Sequence, residues 1–365
     1  MSQNNSSSLA GNSAPLRVLS FGAGAIGTYI GGSLALAGHT VVYTEQPGVV
    51  DELRRKGLRL DLGIDPRRTG QTEFSLGQPA VEFAGSLEQA LAGGPFDVAL
   101  FALKSYDTGP ALDGMRPFAG QLPPILCLQN GVDNEPALAA ALGEDKVIYG
   151  TVTSAVGRRG AGDIVLEKLR GMGVAAGHPL SERLVAALDG AGLRARLFRD
   201  ARAMKWSKML TNLLANPTSA ILDMTAAEVF ADPRLYRLEI EQLKECLAVM
   251  KAQGIGVVDL PGTPVRALAL ATGLPLWLSK PLVGRAAGAG RGNKMPSFHI
   301  DLHAGRGRSE VTYLHGAVVR AGEKTGIPTP VNRALTETLL GMTGGAIPLD
   351  EFARQPLKLL SLAAI

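Results

Sequence analysis

Short apolar segments alternate with helical segments over the first half of the chain. Apolar runs at 16–21 and 40–44 flank one helical stretch, and later runs at 97–102, 124–128 and 147–152 have the same character. Continuous apolar runs of this length are typical of parallel strands that are covered on both faces. Strands that alternate with helices predict a doubly wound parallel sheet and an α/β fold class.

The pattern changes near residue 200. Beyond it strand signals nearly vanish, and helical periodicity extends over 203–222, 233–253 and 309–324. This change predicts a domain boundary and a C-terminal all-helical domain. The predicted segments are a disordered Ser/Asn-rich tail at 1–15, an α/β domain at 16–199, a helical domain at 200–345 and a C-terminal tail at 346–365.

Composition narrows the class of protein. Of 365 residues, 46% are hydrophobic and 19% charged, which is typical of a globular chain. The net charge of +4 comes from scattered basic residues, so we expect no nucleic-acid partner. Cys127 and Cys246 are too few for a disulfide framework. With no signal peptide and no apolar run long enough to span a membrane, we expect a cytoplasmic protein without a membrane partner.

A glycine motif joins the first strand to the first helix. Its residues are Gly22, Ala23, Gly24, Ala25, Ile26 and Gly27. In such a motif the first glycine permits a tight turn, the second lets the backbone approach a pyrophosphate, and the third allows close packing of helix on strand. The helix N-terminus adds N–H donors. The motif predicts a Rossmann-type dinucleotide site; the alternative is a glycine-rich turn without a ligand.

The residues after the second strand bear on which dinucleotide binds. Glu45 lies roughly 20 residues beyond the motif, where a carboxylate accepts hydrogen bonds from a free ribose diol and repels a phosphate. Asp107 adds a second negative charge near the same predicted pocket. These residues favour NAD(H). Alternatively, Glu45 points to solvent and Lys104 or Arg54 reaches a 2′-phosphate.

Polar residues follow two of the predicted strands directly. Lys104 comes after the strand at 97–102, and Asn130 after the strand at 124–128. Ligands of doubly wound folds bind beyond the carboxyl ends of the strands, so both residues are candidates to face the cofactor. The alternatives are a surface lysine and an Asn-Gly turn.

Three polar residues recur at four-residue spacing in the helical half. Lys208, Asn212 and Asn216 would share one face of a helix whose other neighbours are apolar. Buried polar groups need partners, so this row predicts a ligand. Pro217 would kink or end the helix. The alternative is an internal amide ladder with Lys208 in solvent.

Two further segments hold candidate residues. Ser309 and Glu310 suit the N-cap and first turn of a helix, which by itself accounts for both. His299 and His303 have helical spacing for metal ligation, but no third ligand is evident, so we expect no metal site.

Taken together, these motifs resemble the ketopantoate reductases (2-dehydropantoate 2-reductases), from about residue 16 to about residue 342. The motifs that carry the resemblance are the glycine motif, Leu103-Lys104, Gln129-Asn130-Gly131, Lys208-x-x-x-Asn212-x-x-x-Asn216-Pro217, and Pro296-Ser297 followed by Ser309-Glu310-Val311. The resemblance implies a Rossmann domain followed by a helical domain like that of 6-phosphogluconate dehydrogenases, with the active site between them. It also implies reduction of 2-dehydropantoate to pantoate with NADPH, a step toward pantothenate and coenzyme A.

The resemblance also implies roles for individual residues. Lys208 corresponds to the general acid, and Glu310 to a glutamate that accepts a hydrogen bond from a hydroxyl or from the lysine. Asn130 and Lys104 correspond to positions near the nicotinamide and the substrate carbonyl. The positions that match substrate-binding residues are Asn130, Lys208, Asn212, Asn216 and Ser297.

The expected partner is therefore a small 2-oxo acid, and the sequence allows a homodimer. Two other functions stay open on the sequence alone. One is reduction of a different branched 2-oxo acid on the same fold, and the other is dinucleotide sensing without catalysis. A sensor has no need of a proton donor, which weighs against the second.

Overall fold

The computed structural model describes residues 14–68, 71–287 and 295–363. Its strands, in chain order, are β1 (Arg17–Phe21), β2 (Thr40–Thr44), β3 (Leu58–Asp61), β4 (Glu73–Leu76), β5 (Val81–Ala84), β6 (Val98–Phe101), β7 (Ile125–Cys127), β8 (Val147–Val152), β9 (Ala155–Gly160), β10 (Asp163–Lys168), β11 (Met172–Ala175) and β12 (Ala195–Phe198). The helices among them are α1 (Ala25–Leu36), α2 (Pro47–Lys56), α3 (Leu87–Ala92), α4 (Thr108–Met115), α5 (Asn134–Leu142) and α6 (Ser181–Gly190).

Eight of these strands form one sheet in the order β12-β11-β8-β7-β6-β1-β2-β5. All neighbours pair in parallel except β11 with β8. Because β1 lies between β2 and β6, the strand order reverses beside the glycine motif, and a ligand crevice opens at such a point. The predicted doubly wound α/β sheet is confirmed.

A second, four-stranded sheet has the order β4-β3-β10-β9 and packs against α1. No pattern in the sequence predicts this sheet. Leu60 and Ile164 of this sheet lie in the same hydrophobic cluster as Ile30 of α1. The sheet therefore covers the side of α1 that faces away from β1, which explains why this helix is apolar almost all round.

Helices make up the described chain after β12. They are α7 (Ala201–Leu213), α8 (Asn216–Leu222), α9 (Ala226–Ala231), α10 (Pro233–Ala252), α11 (Val265–Thr272), α12 (Leu276–Ala287), α13 (Ser297–His303), α14 (His315–Thr325), α15 (Pro330–Thr343) and α16 (Pro356–Leu362). They share one large hydrophobic cluster. None of the helices in the described ranges has the length and apolar character needed to cross a bilayer.

The single helix predicted over 203–222 is in fact two helices. The chain breaks at Ala215, whose φ of 54° is left-handed, and α8 starts at the next residue. The buried carboxylate of Glu239 on α10 accepts hydrogen bonds from the Ala215 amide at 2.6 Å and from the Thr218 hydroxyl at 2.5 Å. A side chain from another helix therefore stabilises the break. The helix predicted over 309–324 likewise begins as a 3₁₀ turn, Glu310–Tyr313, followed by α14.

The prediction of a C-terminal tail is wrong for residues 346–363. Phe352 and Leu359 are buried in the cluster of the helical half, and α16 packs on α10. The amide of Arg354 donates to the carbonyl of Leu222, which ties this segment to the end of α8. The predicted tail at 1–15 lies almost wholly outside the described residues.

Candidate active site

The glycine motif forms an open cradle at the start of α1. Gly22 has a φ of 90°, and a Cβ there would lie 2.9 Å from Cδ2 of Leu103. A Cβ at Gly27 would lie 2.2 Å from the carbonyl oxygen of Gly22, so only glycine allows this close packing of helix on turn. At Gly24, in contrast, a Cβ would meet no described atom within 4 Å. Among the described residues, no side chain caps α1, so its first N–H groups suit a pyrophosphate.

Glu45 turns toward this cradle rather than toward solvent. Its Oε1 accepts a hydrogen bond from the amide of Ala23 at 2.6 Å. The carboxylate therefore lies at the glycine turn, beside the end of β2. This is the position from which an acidic side chain reaches a ribose diol.

The other charged residues considered for the cofactor pocket have structural partners. Arg54 donates to the carbonyl oxygen of Phe83 at 3.0 Å. Asp107 lies 3.3 Å from Nη1 of Arg308. Burial raises the pKa of Asp107, against the opposing effect of Arg308. The structure thus supports the predicted placement of Glu45 at the turn but pairs Asp107 with the helical half.

Lys104 extends from the carboxyl end of β6 into the cleft between the two halves. Its Nζ lies 2.7 Å from Oε2 of Glu310 and 3.0 Å from Oδ2 of Asp301. Burial would lower the pKa of Lys104, but the two carboxylates outweigh it and raise the pKa above the ordinary lysine value. The other oxygen of Glu310 accepts from both the amide and the hydroxyl of Ser105 at 3.2 Å. Glu310 is therefore held across the cleft, and its position is not explained by the dipole of its own short helix.

Asn130 lies just beyond the carboxyl end of β7 and its side chain reaches the helical half. Nδ2 of Asn212 donates to Oδ1 of Asn130 at 3.1 Å. The backbone carbonyl of Asn130 accepts from Asn134 at 2.7 Å and from Ser105 at 3.2 Å. The turn after β7 is thus fixed by the turn after β6, and Asn130 is more than an isolated Asn-Gly turn.

One face of α7 lies against this turn. The helix makes its first contact with the turn through Lys205. The Nζ of Lys205 donates to the Gln129 carbonyl at 2.7 Å and lies 2.6 Å from Oε1 of Glu135. At its second contact, Asn212 reaches Asn130. Lys208 is half-buried and lies between these two on the helix, three residues after one and four before the other. This spacing places Lys208 on the same face of α7 as the two residues that contact the turn after β7.

Asn216 begins α8 instead of continuing α7. Its Oδ1 accepts from the amide of Phe298 at 3.3 Å, and its Nδ2 lies 3.4 Å from the carbonyl of Asn212. It thereby joins the end of α7 to the start of α13, where Ser297 is exposed. One turn later Asp301 returns to Lys104. The structure therefore links Asn212 and Asn216 to the start of α13, although the candidate residues of the helical half do not share one helix.

Three residues at this cleft were not predicted from the sequence: Asp301, Lys205 and Glu135. Lys205 could have been found, because it precedes Lys208 by three residues and so shares its helix face. Glu135 carries no local signal, since its role follows from the tertiary contact with Lys205.

Comparison with known proteins identifies the family of this chain. Residues 18–176 match the family model described as ketopantoate reductase PanE/ApbA, and residues 200–343 match the model of its C-terminal part. The chain belongs to the ketopantoate reductase family. Family membership makes the protein an oxidoreductase that uses a nicotinamide dinucleotide, as the resemblance implied.

Individual relatives agree with this assignment. The chain is 28% identical over 333 residues to the 2-dehydropantoate 2-reductase of Archaeoglobus fulgidus, covering 90% of this chain and 98% of the relative. It is 27% identical to the enzyme of that name from Halobacterium salinarum, covering 88% and 97%. A PanE/ApbA family ketopantoate reductase from Ralstonia eutropha superposes with a TM-score of 0.73 at 26% identity, covering 90% and 99%. D-mandelate dehydrogenase bound to NADH, at 20% identity and a TM-score of 0.71 with the same coverage, shares the fold.

Proposed function

We propose that this protein reduces 2-dehydropantoate to pantoate, with Lys208 as the proton donor in the cleft between the two halves. The observation that carries the proposal is the position of Lys208 on α7 between Lys205 and Asn212, which both contact the turn after β7. The glycine cradle opens at the same edge of the parallel sheet. A cleft that joins a dinucleotide cradle to a half-buried lysine suits carbonyl reduction better than binding alone.

The glycine cradle and Glu45 would hold the dinucleotide. The N–H groups at the start of α1 would bind the pyrophosphate, and the Glu45 carboxylate would accept from the adenine ribose. The bound reduced cofactor supplies the hydride for the 2-oxo carbon. Family resemblance implies NADPH, whereas Glu45 at the turn favours acceptance of NADH. We therefore propose weaker discrimination against NADH than is usual for the family.

Lys208 would act on the oxygen of the reacting carbonyl. Negative charge develops on that oxygen as the carbonyl carbon is reduced, and an ammonium group beside it stabilises the charge and donates a proton. The location of Lys208 between the two contacts of α7 restrains its backbone, because Lys205 and Asn212 both bind the turn after β7. Such restraint would keep Nζ near the reacting oxygen.

The amides and the hydroxyl around Lys208 would orient the substrate. Asn130 and Asn212 already bind each other, so their remaining donors and acceptors can bind the carboxylate and hydroxyl of the acid. Ser297 is exposed at the start of α13. Asn216 links α7 to α13 and would hold Asn212 and Ser297 in register as well as lining the substrate site.

Lys104 and Glu310 would complete the cofactor side of the cleft. Glu310 is bound by Lys104 and Ser105 and has its carboxylate at the carboxyl end of β6. A carboxylate fixed in this way can accept a hydrogen bond from a hydroxyl of the substrate or the cofactor. Lys104, held between two carboxylates, would keep a positive charge beside the nicotinamide.

A panel of 2-oxo acids, each tested with NADH and NADPH, tests this function. Suitable members are 2-dehydropantoate, the same branched acid without its hydroxyl group, and pyruvate. We expect the highest kcat/KM with 2-dehydropantoate. A higher value for another acid would reassign the substrate, and tight cofactor binding with no turnover of any acid would indicate a sensor.

The compartment and assembly remain proposals. Cys127 and Cys246 are both free and buried, which supports a reducing compartment and agrees with the expected cytoplasmic location. The small-molecule 2-oxo acid is the partner that the family supports. A homodimer remains a prediction from the sequence.

A further inference from the structure

A cluster of two imidazoles and one carboxylate lies on the surface of the helical half, where α13 meets the end of α8. Nε2 of His299 lies 2.8 Å from Oδ1 of Asp223, the residue that follows α8. The rings of His299 and His303 lie side by side, with centroids 4.1 Å apart. The sequence supplied the two histidines but no third ligand, and the fold brings Asp223 to them.

The spacing of these groups fits a divalent transition metal ion. One ligand atom from each of the three residues lies within 4.8 Å of the other two. Zinc binds imidazole nitrogen and carboxylate oxygen at about 2.0–2.2 Å, so the ligand atoms of a site lie about 3–3.5 Å apart. Small rotations of Asp223 and His303, which are both exposed, cover the difference. The contact between Asp223 and His299 is already close to that spacing.

The three other histidines each form a hydrogen bond with a residue other than histidine. His39 accepts from the amide of Leu16, and His178 accepts from the amide of Leu180. His315 is fully buried and bonded to Gln242. His299 and His303 differ because their two rings are adjacent at the surface and face a carboxylate. Both cysteines are buried, so the thiols do not compete for an added metal ion.

We propose that Asp223, His299 and His303 form a binding site for a divalent transition metal cation of the zinc type. Two imidazoles with one carboxylate suit zinc, nickel or copper better than magnesium or calcium, which prefer all-oxygen sites. Three protein ligands leave at least one coordination position open. The cation would join the end of α8 to α13 and stabilise the folded helical half. This site is independent of the proposed reductase activity.

Titration calorimetry of the full-length, untagged protein with zinc chloride tests the site. We expect one zinc ion per chain and a rise in Tm on saturation. Cobalt(II), added instead of zinc, should give the visible absorption of a protein-bound ion. His303→Gln and Asp223→Asn should each weaken zinc binding about tenfold or more, by analogy with losses at other metal sites. The matched control is His178→Gln, which should bind zinc as the wild type does.

The variants also show what would overturn the proposal. All three changed residues lie at or near the surface, and circular dichroism will verify that each variant folds. Zinc affinity that is the same in wild type, His303→Gln and Asp223→Asn would place any bound ion elsewhere. The absence of measurable zinc binding to the wild type would equally refute the site.

Discussion

Nζ of Lys104, at the carboxyl end of β6, lies 2.7 Å from Oε2 of Glu310, which is 206 residues further along the chain. The two residues come from opposite sides of the cleft, and Asp301 adds a second carboxylate at 3.0 Å from the same Nζ. This contact therefore joins the two halves at the site where the proposed reaction takes place. Its strength can be measured apart from catalysis.

A double-mutant cycle with Lys104→Met and Glu310→Gln should give a coupling of about 0.5–3 kcal/mol in the free energy of unfolding. The carboxylate is 8% exposed and the lysine 35%, so solvent screens the pair only in part. The matched control is the exposed pair of Lys56 and Glu52, whose coupling should be smaller because solvent screens it more strongly. Coupling at the cleft no larger than in the control would mean that this pair does not hold the halves together.

The buried pair of Lys205 and Glu135 should be costly to break on one side only. Their side chains are 3% and 0% exposed, so Lys205→Met leaves an uncompensated carboxylate and should lower the free energy of unfolding by about 3–5 kcal/mol. Lys205→Met combined with Glu135→Leu should regain most of that loss. Denaturant unfolding measures both, with the exposed Lys244→Met as control. A double variant as unstable as the single one would argue against the ion pair.

The buried His315 should make the free energy of unfolding depend on pH. Burial lowers the pKa of His315 from 6.5 to about 3 in the folded protein. Between these values the unfolded chain binds the proton and the folded chain does not, so protonation stabilises the unfolded state. The free energy of unfolding should therefore fall as pH decreases from 6.5 toward 3, and His315 should have no such effect above that window.

The variant His315→Gln isolates this effect. Its unfolding free energy should decline less steeply with acid than that of the wild type, by up to about 1.4 kcal/mol per pH unit. Urea unfolding at a series of pH values gives both slopes. Equal slopes for the two proteins would show that His315 does not remain neutral in the folded state.

Glu45 should limit the preference for NADPH. A carboxylate bonded to the Ala23 amide is placed to accept from a ribose diol and to repel a 2′-phosphate. Wild-type kcat/KM with NADPH should exceed that with NADH by less than a hundredfold, or about 2.7 kcal/mol. Glu45→Gln should shift both binding and efficiency toward NADPH, whereas the exposed Glu73→Gln should not.

A hundredfold or greater preference for NADPH in the wild type would contradict this role. It would mean that a basic group other than the paired Arg54 binds the phosphate. Fluorescence titration with each dinucleotide measures the binding preference without any turnover.

Local signals in the sequence predicted several of the residues that the structure brings together at the cleft. Lys104 and Asn130 each follow an apolar strand, and the carboxyl ends of parallel strands meet at one edge, so their proximity follows from the fold class. Lys208 and Asn212 were predicted to share a helix face from their four-residue spacing, and both lie on α7. The contact between Asn212 and Asn130 joins these two sets.

The features that the sequence did not predict depend on contacts between segments that are far apart in the chain. Asn216 was expected on the same helix as Lys208, but Glu239 of α10 stabilises a break at Ala215 and moves it to α8. The partner of Lys205, Glu135, has no local signal of its own. The small second sheet pairs β3 with β10, which are far apart in the chain, and short strands of this kind cannot be paired from their own residues.

The assignment of Lys208 is tested most directly by comparing Lys208→Ala with the wild type. Oxidation of the reduced dinucleotide in the presence of 2-dehydropantoate measures turnover, and fluorescence titration measures cofactor affinity. We expect a loss of about 10²–10⁴-fold in kcat with nearly unchanged cofactor affinity, because Lys208 lies away from the glycine cradle. The exposed Lys251→Ala should behave as the wild type. Near-normal turnover in Lys208→Ala would contradict the assignment of Lys208 as the proton donor.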